Sequence, residues 1–228
     1  MTEDLQIGIV CVAGGRGERF GGDKLASRLG SGTVLETSLA QLRRAFPSAP
    51  LVVVVPVDRL PFWSGILNVS WPGIRCVEGG VRRQDSVRRG VEAVAAQGID
   101  HVMVHDGARP LVHPDDVRAG AEGIGSADGC IVGRPAADTL KRVDHRGVVL
   151  ETVPRQTIFL AQTPQVFRIE ALRKAWESGD FDREWTDEAA LLESLGMRVV
   201  TVIASHPNPK LTTEGDLVVL RALEMSRS

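Results

Sequence analysis

The sequence has little that would tie its chain to a membrane, to nucleic acid or to an oxidising compartment. Its charges nearly cancel, 27 Lys and Arg against 29 Asp and Glu, so there is no basic field to hold a nucleic-acid backbone. The longest apolar run, Leu51 to Val57, is far too short to span a bilayer. The acidic start, Met-Thr-Glu-Asp, is unlike a secretion signal. The cysteines, Cys11, Cys76 and Cys130, are odd in number and scattered, which argues against a disulfide framework. Cys11 and Cys130 lie in strand-like runs and read as buried thiols, so a reducing, cytoplasmic location is expected. No Cys-x-x-Cys or His-Glu-x-x-His spacing offers a zinc site, and no Gly-x-Ser-x-Gly elbow offers a serine nucleophile. Repeats and low-complexity linkers are absent too, and one domain over residues 1–228 is expected.

What remains is an alternation of two periodicities. Ile7 to Ala13, Leu51 to Val55, Ile74 to Val77, His101 to His105 and Gly129 to Gly133 are short, apolar and mostly β-branched, as strands covered on both faces should be. Helical patterns lie between them. Thr33-x-x-Glu36 is a capping box ahead of Leu35, Leu39, Leu42 and Phe46, Val87, Val91 and Val94 recur at helical spacing, and Pro114 opens another helix. Thr186 is expected to cap a helix carrying Leu191, Leu192 and Leu195, and Thr213-x-x-Asp216 opens the last one. The stretch from Arg59 to Pro72 carries no clear pattern beyond room for a short helix. This order predicts an α/β fold with a doubly wound, mostly parallel sheet, whose ligands sit beyond the carboxyl ends of the strands. From about residue 136 to 160 the pattern changes to a two-stranded hairpin turning at Asp144 to Gly147. It has too few apolar residues for a core of its own, so it must pack on something else.

The richest chemistry follows the first strand. Gly14, Gly15, Gly17, Gly21 and Gly22 let backbone N–H groups approach an anion, while Arg16, Arg19 and Lys24 bring positive charge. The loop is built to hold phosphates, yet it is neither of two familiar phosphate loops. A P-loop would end Gly-Lys-Ser/Thr, whereas Lys24 follows Asp23 and precedes Leu25. The dinucleotide fingerprint fails at Phe20, and the second strand ends at Pro56 without the ribose-binding acid.

Val12-Ala-Gly-Gly-Arg-Gly-Glu-Arg19 followed by Lys24 resembles the signature loop of sugar-nucleotide and alditol-phosphate nucleotidyltransferases. Within these the chain is most similar to the cytidylyltransferases acting on 2-C-methyl-D-erythritol 4-phosphate, although that family usually has Pro-Ala-Ala-Gly at 12–15. Further matches run in the family's order from Val10 to Leu220. They are Gly79-Gly80 to Arg83 and Asp85-Ser86-Val87, His105-Asp106-Gly-Ala-Arg109-Pro110, Asp138-Thr139-x-Lys141, Thr152-Val-Pro-Arg155, Gln162-Thr163-Pro-Gln165, Thr186-Asp-Glu188 and Asn208-Pro-Lys210. Pro209 stands where isoleucine is commoner. In isolation most of these would be solvated loop residues, and Ser86 an ordinary first-turn serine.

The resemblance implies transfer of a cytidylyl group from CTP to the alditol phosphate, with release of pyrophosphate, in the non-mevalonate route to isoprenoid precursors. It implies catalytic roles for Arg19, Lys24, Arg155 and Lys210, a CTP site of Ala13, Gly14, Gly15, Gly17, Gly80, Arg83 and Ser86, and a substrate site of Asp106, Arg109, Thr139, Thr163 and Thr186. It also implies Mg²⁺ held mainly by the nucleotide's phosphates and water, with no dedicated protein ligands, and a homodimer in which the 136–160 arm carries Thr139 and Arg155 into the neighbour's site. Ribitol-5-phosphate cytidylyltransferase is the nearest alternative in the same reaction class. A non-catalytic nucleotide-binding module is the alternative outside it, but binding alone would not need cations at both ends of the site, Arg19 and Lys24 at one and Lys210 at the other.

Overall fold

The computed structural model describes residues 5–14, 20 and 22–226. In chain order the elements are β1 (Ile7–Val12), β2 (Arg28–Leu29), β3 (Gly32–Thr33), α1 (Val34–Ala45), β4 (Leu51–Val55), α2 (Leu60–Ser70), β5 (Arg75–Glu78), α3 (Arg83–Ala95), β6 (His101–Asp106), α4 (Pro114–Gly123) and β7 (Gly129–Pro135). There follow β8 (Leu140–Val143), β9 (Val149–Val153), β10 (Phe159–Arg168), α5 (Ile169–Glu177), α6 (Glu188–Ser194), β11 (Val199–Ile203) and α7 (Glu214–Met225). Seven strands form one sheet in the order β11-β7-β10-β6-β1-β4-β5. Every pairing is parallel except those of β10, which runs against both β6 and β7. The expected mostly parallel, doubly wound architecture is what forms.

Alternation along the central strands divides the core into two layers. Ile9, Cys11, Val53, Val55 and Met103 point to one face, where α1, α2, α4 and α7 deliver Leu35, Leu39, Trp63, Leu67, Val117 and Leu220. Val10, Val52, Val54, Val102 and Val104 point to the other, against α3, α5 and α6. Cys11 and Cys130 are buried as expected. The stretch after Arg59, which lacked a readable pattern, is α2. Its Trp63 and Leu67 are buried, and Trp71 closes it with its backbone N–H on the Leu67 carbonyl. Among the described residues no helix is long and apolar enough to cross a membrane.

The Thr33 and Thr213 capping boxes are both present. The expected cap at Thr186 is corrected by one residue. Asp187 is the N-cap, its carboxylate accepting the Ala190 N–H at 2.9 Å, and Thr186 is exposed. An acidic side chain at that place also matches the positive end of the helix, which a hydroxyl does only weakly. The hairpin forms as β8 and β9, paired with each other and with no strand of the main sheet.

Glycine decides how closely α3 sits on the sheet. A Cβ at Gly90 would lie 2.5 Å from Val10 Cγ1 and 2.8 Å from Val54 Cγ2, both in the strand layer that α3 covers. Gly90→Ala should therefore push the helix off β1 and β4 and lower stability by about 1–3 kcal/mol, the usual scale of overpacking. Urea unfolding should show an earlier midpoint at unchanged slope, and a midpoint equal to that of the parent chain would refute this packing.

Candidate active site

The chain leaves β1 for β4 and β5 on one side, then crosses back to β6 on the other. That reversal opens a crevice at the carboxyl ends of the central strands, the place where such sheets bind ligands. Backbone bonds carry the sheet beyond its strand ends and fix the crevice walls: Ala13 N–H to Val54 O at 2.7 Å, Gly79 N–H to Val55 O at 2.7 Å and Gly107 N–H to Val12 O at 2.9 Å. The result is a cleft of about 800 Å³. Of the residues singled out from sequence, it brings together Ala13, Gly14, Lys24, Gly80, Arg83, Ser86, Asp106 and Lys210. Gly15, Gly17 and Arg19, with Arg16 and Gly21, lie outside the described residues.

On the β5 side, backbone replaces side chain. Ser86 Oγ accepts the Gly80 N–H at 3.0 Å and in turn lies 3.2 Å from the Arg82 carbonyl. A Cβ on Gly79 would fall 2.8 Å from Ser86 Oγ, and one on Gly80 2.3 Å from Asp85 Cβ. Both glycines are required by close approach, and they keep Cβ atoms off this wall of the cleft. Across from them Lys24 opens a short 3-10 turn capped by Asp23, and its Nζ donates to the Leu211 carbonyl at 3.0 Å.

The floor is electrostatic. Asp106, at the end of β6, is nearly buried and meets Lys210 Nζ at 2.7 Å, an Arg83 nitrogen at 3.7 Å and Arg109 Nε at 3.8 Å. Burial alone would raise its carboxyl; Lys210 and Arg83 outweigh that and hold it near 2, so it is ionised at neutral pH. Arg83 is itself pinned from behind by the buried Glu188, whose two oxygens accept from Nη1 at 3.0 and 2.8 Å. This leaves the guanidinium suspended between α6 and the cleft.

Other residues singled out from sequence lie behind this floor. Thr163 Oγ1 accepts the Asp106 N–H at 3.0 Å and faces His105 Nδ1 at 3.2 Å, while His105 Nε2 faces the Arg109 carbonyl at 3.1 Å. Burial lowers the His105 pKa to about 4, so the ring is neutral. The network then assigns one tautomer, with Nε2–H donating to the carbonyl and the Thr163 hydroxyl donating to Nδ1. Arg109 donates through Nη1 to the Asn208 carbonyl at 2.8 Å. Thr163 and Arg109 thus shape the floor without lining the cleft, and Thr186 is outside it as well. Thr139 and Arg155 are exposed at the base of the hairpin, Arg155 bonded to the Ala137 carbonyl, and neither reaches this chain's own cleft.

Sequence reasoning missed several wall residues, among them Val57, Asp58, Glu78 and Thr212. It also gave no role to Glu188 or Arg82. Arg82 lines the cleft while tied to Asp85 at 2.7 Å and to the Asp182 carbonyl at 2.9 Å. The signal available for Glu188 was its place in Thr186-Asp-Glu, an acid beside a helix cap.

Comparison with known proteins places this geometry. A family model described as 2-C-methyl-D-erythritol 4-phosphate cytidylyltransferase matches residues 7–225. A protein of Agrobacterium fabrum named bifunctional enzyme IspD/IspF is 40% identical over 94% of this chain and 56% of its own length. A 2-C-methyl-D-erythritol 4-phosphate cytidylyltransferase of Thermosynechococcus vestitus is 37% identical, covering 92% of this chain and 91% of that protein. The chain therefore spans about half the length of the bifunctional relatives it matches and nearly all of the shorter one. The crystal structure of a 4-diphosphocytidyl-2C-methyl-D-erythritol synthase from Anaerococcus prevotii superposes with a TM-score of 0.83 at 25% identity, over 97% of this chain and 99% of that one. Sequence and fold agree, and the chain belongs to the 2-C-methyl-D-erythritol 4-phosphate cytidylyltransferase family.

Proposed function

We propose that the chain transfers a cytidylyl group from CTP to 2-C-methyl-D-erythritol 4-phosphate, a step in making isoprenoid precursors. A phosphate oxygen of the acceptor attacks the α-phosphorus of CTP, a new P–O bond forms, the bond to the bridging oxygen breaks, and pyrophosphate leaves with its electron pair. The observation that carries this reading is the meeting of Lys24, Arg83 and Lys210 from three distant segments around one cleft walled by Gly14, Gly79 and Gly80. Such a reaction needs no covalent intermediate. Its demands are in-line positioning and fixed positive charge where negative charge accumulates. The acceptor phosphate is already ionised near neutral pH, so no general base is required.

In this reading the amide groups at Gly79 and Gly80, with Ser86, face the cytosine edge, and the β1 loop with Lys24 faces the triphosphate. Lys210, beside Asp106, faces the acceptor phosphate. Magnesium belongs to the same proposal. Its ligands would be the nucleotide's phosphates and water, as suits a hard ion that keeps most of its water and needs few protein ligands, since Asp106 is already shared among Lys210, Arg83 and Arg109. The bound ion would neutralise triphosphate charge. Turnover with a panel of alditol phosphates, ribitol 5-phosphate included, and all four nucleoside triphosphates tests the assignment. Activity that is no higher with CTP and the methylerythritol phosphate than with other pairs would refute it.

The hairpin supplies the rest of the site in a partner copy. Val143, Val148, Val149 and Leu150 are all more than half exposed on an arm with no core. Burying them against a second chain would remove that apolar surface from water. Thr139 and Arg155, which do not reach their own cleft, would then reach the neighbour's.

Lys24→Ala is expected to lower kcat by ~10²–10³-fold, the scale of one preorganised charge-stabilising donor, with a smaller effect on CTP affinity. Single-turnover rates decide it, and near-normal chemistry would remove Lys24 from the transition state. Arg155→Ala should raise KM for the alditol phosphate and leave CTP binding nearly unchanged. Mixing Arg155→Ala subunits with Lys24→Ala subunits should restore activity to one site of each heterodimer. If mass spectrometry confirms exchange and no activity returns, Arg155 serves its own subunit.

A further inference from the structure

Lys210 reaches Asp106 from the loop joining β11 to α7, and that loop has no regular structure of its own. It is held by a series of external bonds. Ala204 N–H donates to Gly133 O at 2.8 Å, and Leu211 N–H to Ala108 O at 2.8 Å. The buried Asn208 donates through Nδ2 to Thr163 O at 2.8 Å, and its carbonyl accepts from Arg109. Between Ala204 and Asn208 a side chain on another element takes hold. Asp116, in the first turn of α4 and only 3% exposed, accepts the Ser205 N–H at 2.8 Å, the His206 N–H at 3.1 Å and faces His206 Nδ1 at 3.3 Å. The His206 ring stacks on His113, the α4 cap, with centroids 3.6 Å apart and planes 14° from parallel. Pro207 and Pro209 restrict the chain between these anchors and bias His206 and Asn208 toward extended backbone.

The atoms of His113, Asp115 and His206 lie within 4.8 Å of one another, close enough to suggest a metal site. The stacking argues otherwise. Two nearly parallel rings cannot both aim in-plane lone pairs at one ion, and His113 Nδ1 already accepts the Asp115 N–H at 3.2 Å. The cluster is a clamp. It secures one end of a loop whose other end carries Lys210 and Thr212 into the cleft.

We propose that Asp116 is a positioning residue for the reaction: by fixing Ser205 and His206 to α4 it sets where Lys210 stands in the acceptor half of the site. A carboxylate receiving two backbone N–H groups makes charge-assisted bonds stronger than neutral ones. A rigid anchor is required because Lys210 must meet both Asp106 and the incoming phosphate. The proposal rests on the cytidylyl-transfer reading above.

Asp116→Asn keeps the side chain's shape and one acceptor oxygen, so the fold is preserved, while Asp116→Ala removes both acceptors. Asp116→Asn should raise KM for the methylerythritol phosphate by about 10-fold, the scale of a lost charge-assisted bond, with KM for CTP unchanged. Asp116→Glu is the wrong length to bridge both amides and should not rescue. The effect should vanish in a Lys210→Ala background, since Asp116 acts through Lys210. An equal, independent loss in that background, or a matching loss in CTP affinity, would make Asp116 a general structural residue and overturn the proposal. Amide hydrogen exchange gives a readout free of any substrate. Asp116→Asn should speed exchange at Leu211, five residues beyond the clamp, and unchanged exchange there overturns the inference even if the chain acts on a different alditol phosphate. Conversely, faster exchange at Leu211 with no turnover of the methylerythritol phosphate by the parent chain would sink the activity reading and leave the clamp standing.

Discussion

A carboxylate buried at the end of a central strand is costly unless cations surround it, and the Asp106 carboxylate organises the cleft for that reason. Its partners arrive from three separate elements: Arg83 from the start of α3, Arg109 from the loop after β6, and Lys210 from the loop after β11. Removing one partner of such a cluster usually costs about 3–5 kcal/mol, because a buried charge is left uncompensated. Folding therefore cannot satisfy Asp106 without bringing the cleft walls together. The same arrangement suits anion binding. Two carboxylates, Asp106 and Glu188, set against Arg83, Arg109 and Lys210 leave one positive charge over beside the space an anionic ligand would fill.

Second-layer contacts keep this surplus from relaxing. Arg83 would fold onto Asp106 were it not drawn back by Glu188. Arg109 is turned away from the cleft toward the Asn208 carbonyl, and Thr163 fixes the Asp106 backbone through its hydroxyl. Each contact spends a side chain on orientation, with none left for ligand. Preorganised charge lowers a barrier because little rearrangement is needed when the transition state forms. Neutral His105 fits this design, since a second buried cation beside Arg109 would add repulsion without a partner to absorb it.

Much of the fold was legible because its causes are local. Strands buried on both faces must be continuous and apolar, and Leu51 to Val55 can be little else. The Thr33-x-x-Glu36 and Thr213-x-x-Asp216 boxes close on neighbours three residues away, so sequence spacing determines them. One misreading and one stretch left unassigned have equally local explanations. Thr186 and Asp187 are both competent caps, and only the chain's path selects the acid. The pattern of α2 is obscured because few of its residues are buried: Trp63 and Leu67 carry its contact with the core. The cleft was legible in part. Gly79, Gly80, Ser86, Asp106 and Lys210 lie in loops, at a strand end or in a helix's first turn that the sheet order delivers to one rim, and the family resemblance named them. Thr163 and Arg109 came from the same resemblance, but their side chains are used behind the floor. Glu188 carried only its place in Thr186-Asp-Glu as a signal and Asp116 none, because an acid in a helix's first turn is explained well enough by the helix dipole. Their partners are 105 and about 90 residues away in sequence.

The hairpin differs from the rest of the chain in pairing only with itself and with no strand of the main sheet. Thr163 and Arg109 fail to line the cleft but are used within the fold. The arm's valines and Leu150 stay more than half exposed, while Lys141 to Thr152 and Arg142 to Glu151 brace its two strands against each other. A segment that braces itself yet leaves its apolar side chains in water suits the partner copy proposed above. Arg155 and Thr139 stand where this arm leaves the sheet, so anything that covers the valines also brings a cation and a hydroxyl into contact with the covering molecule. If that molecule is a second copy, the covalent economy is plain: one chain builds the nucleotide half of a site around β1 and β5, and an arm with no core of its own completes the acceptor half next door.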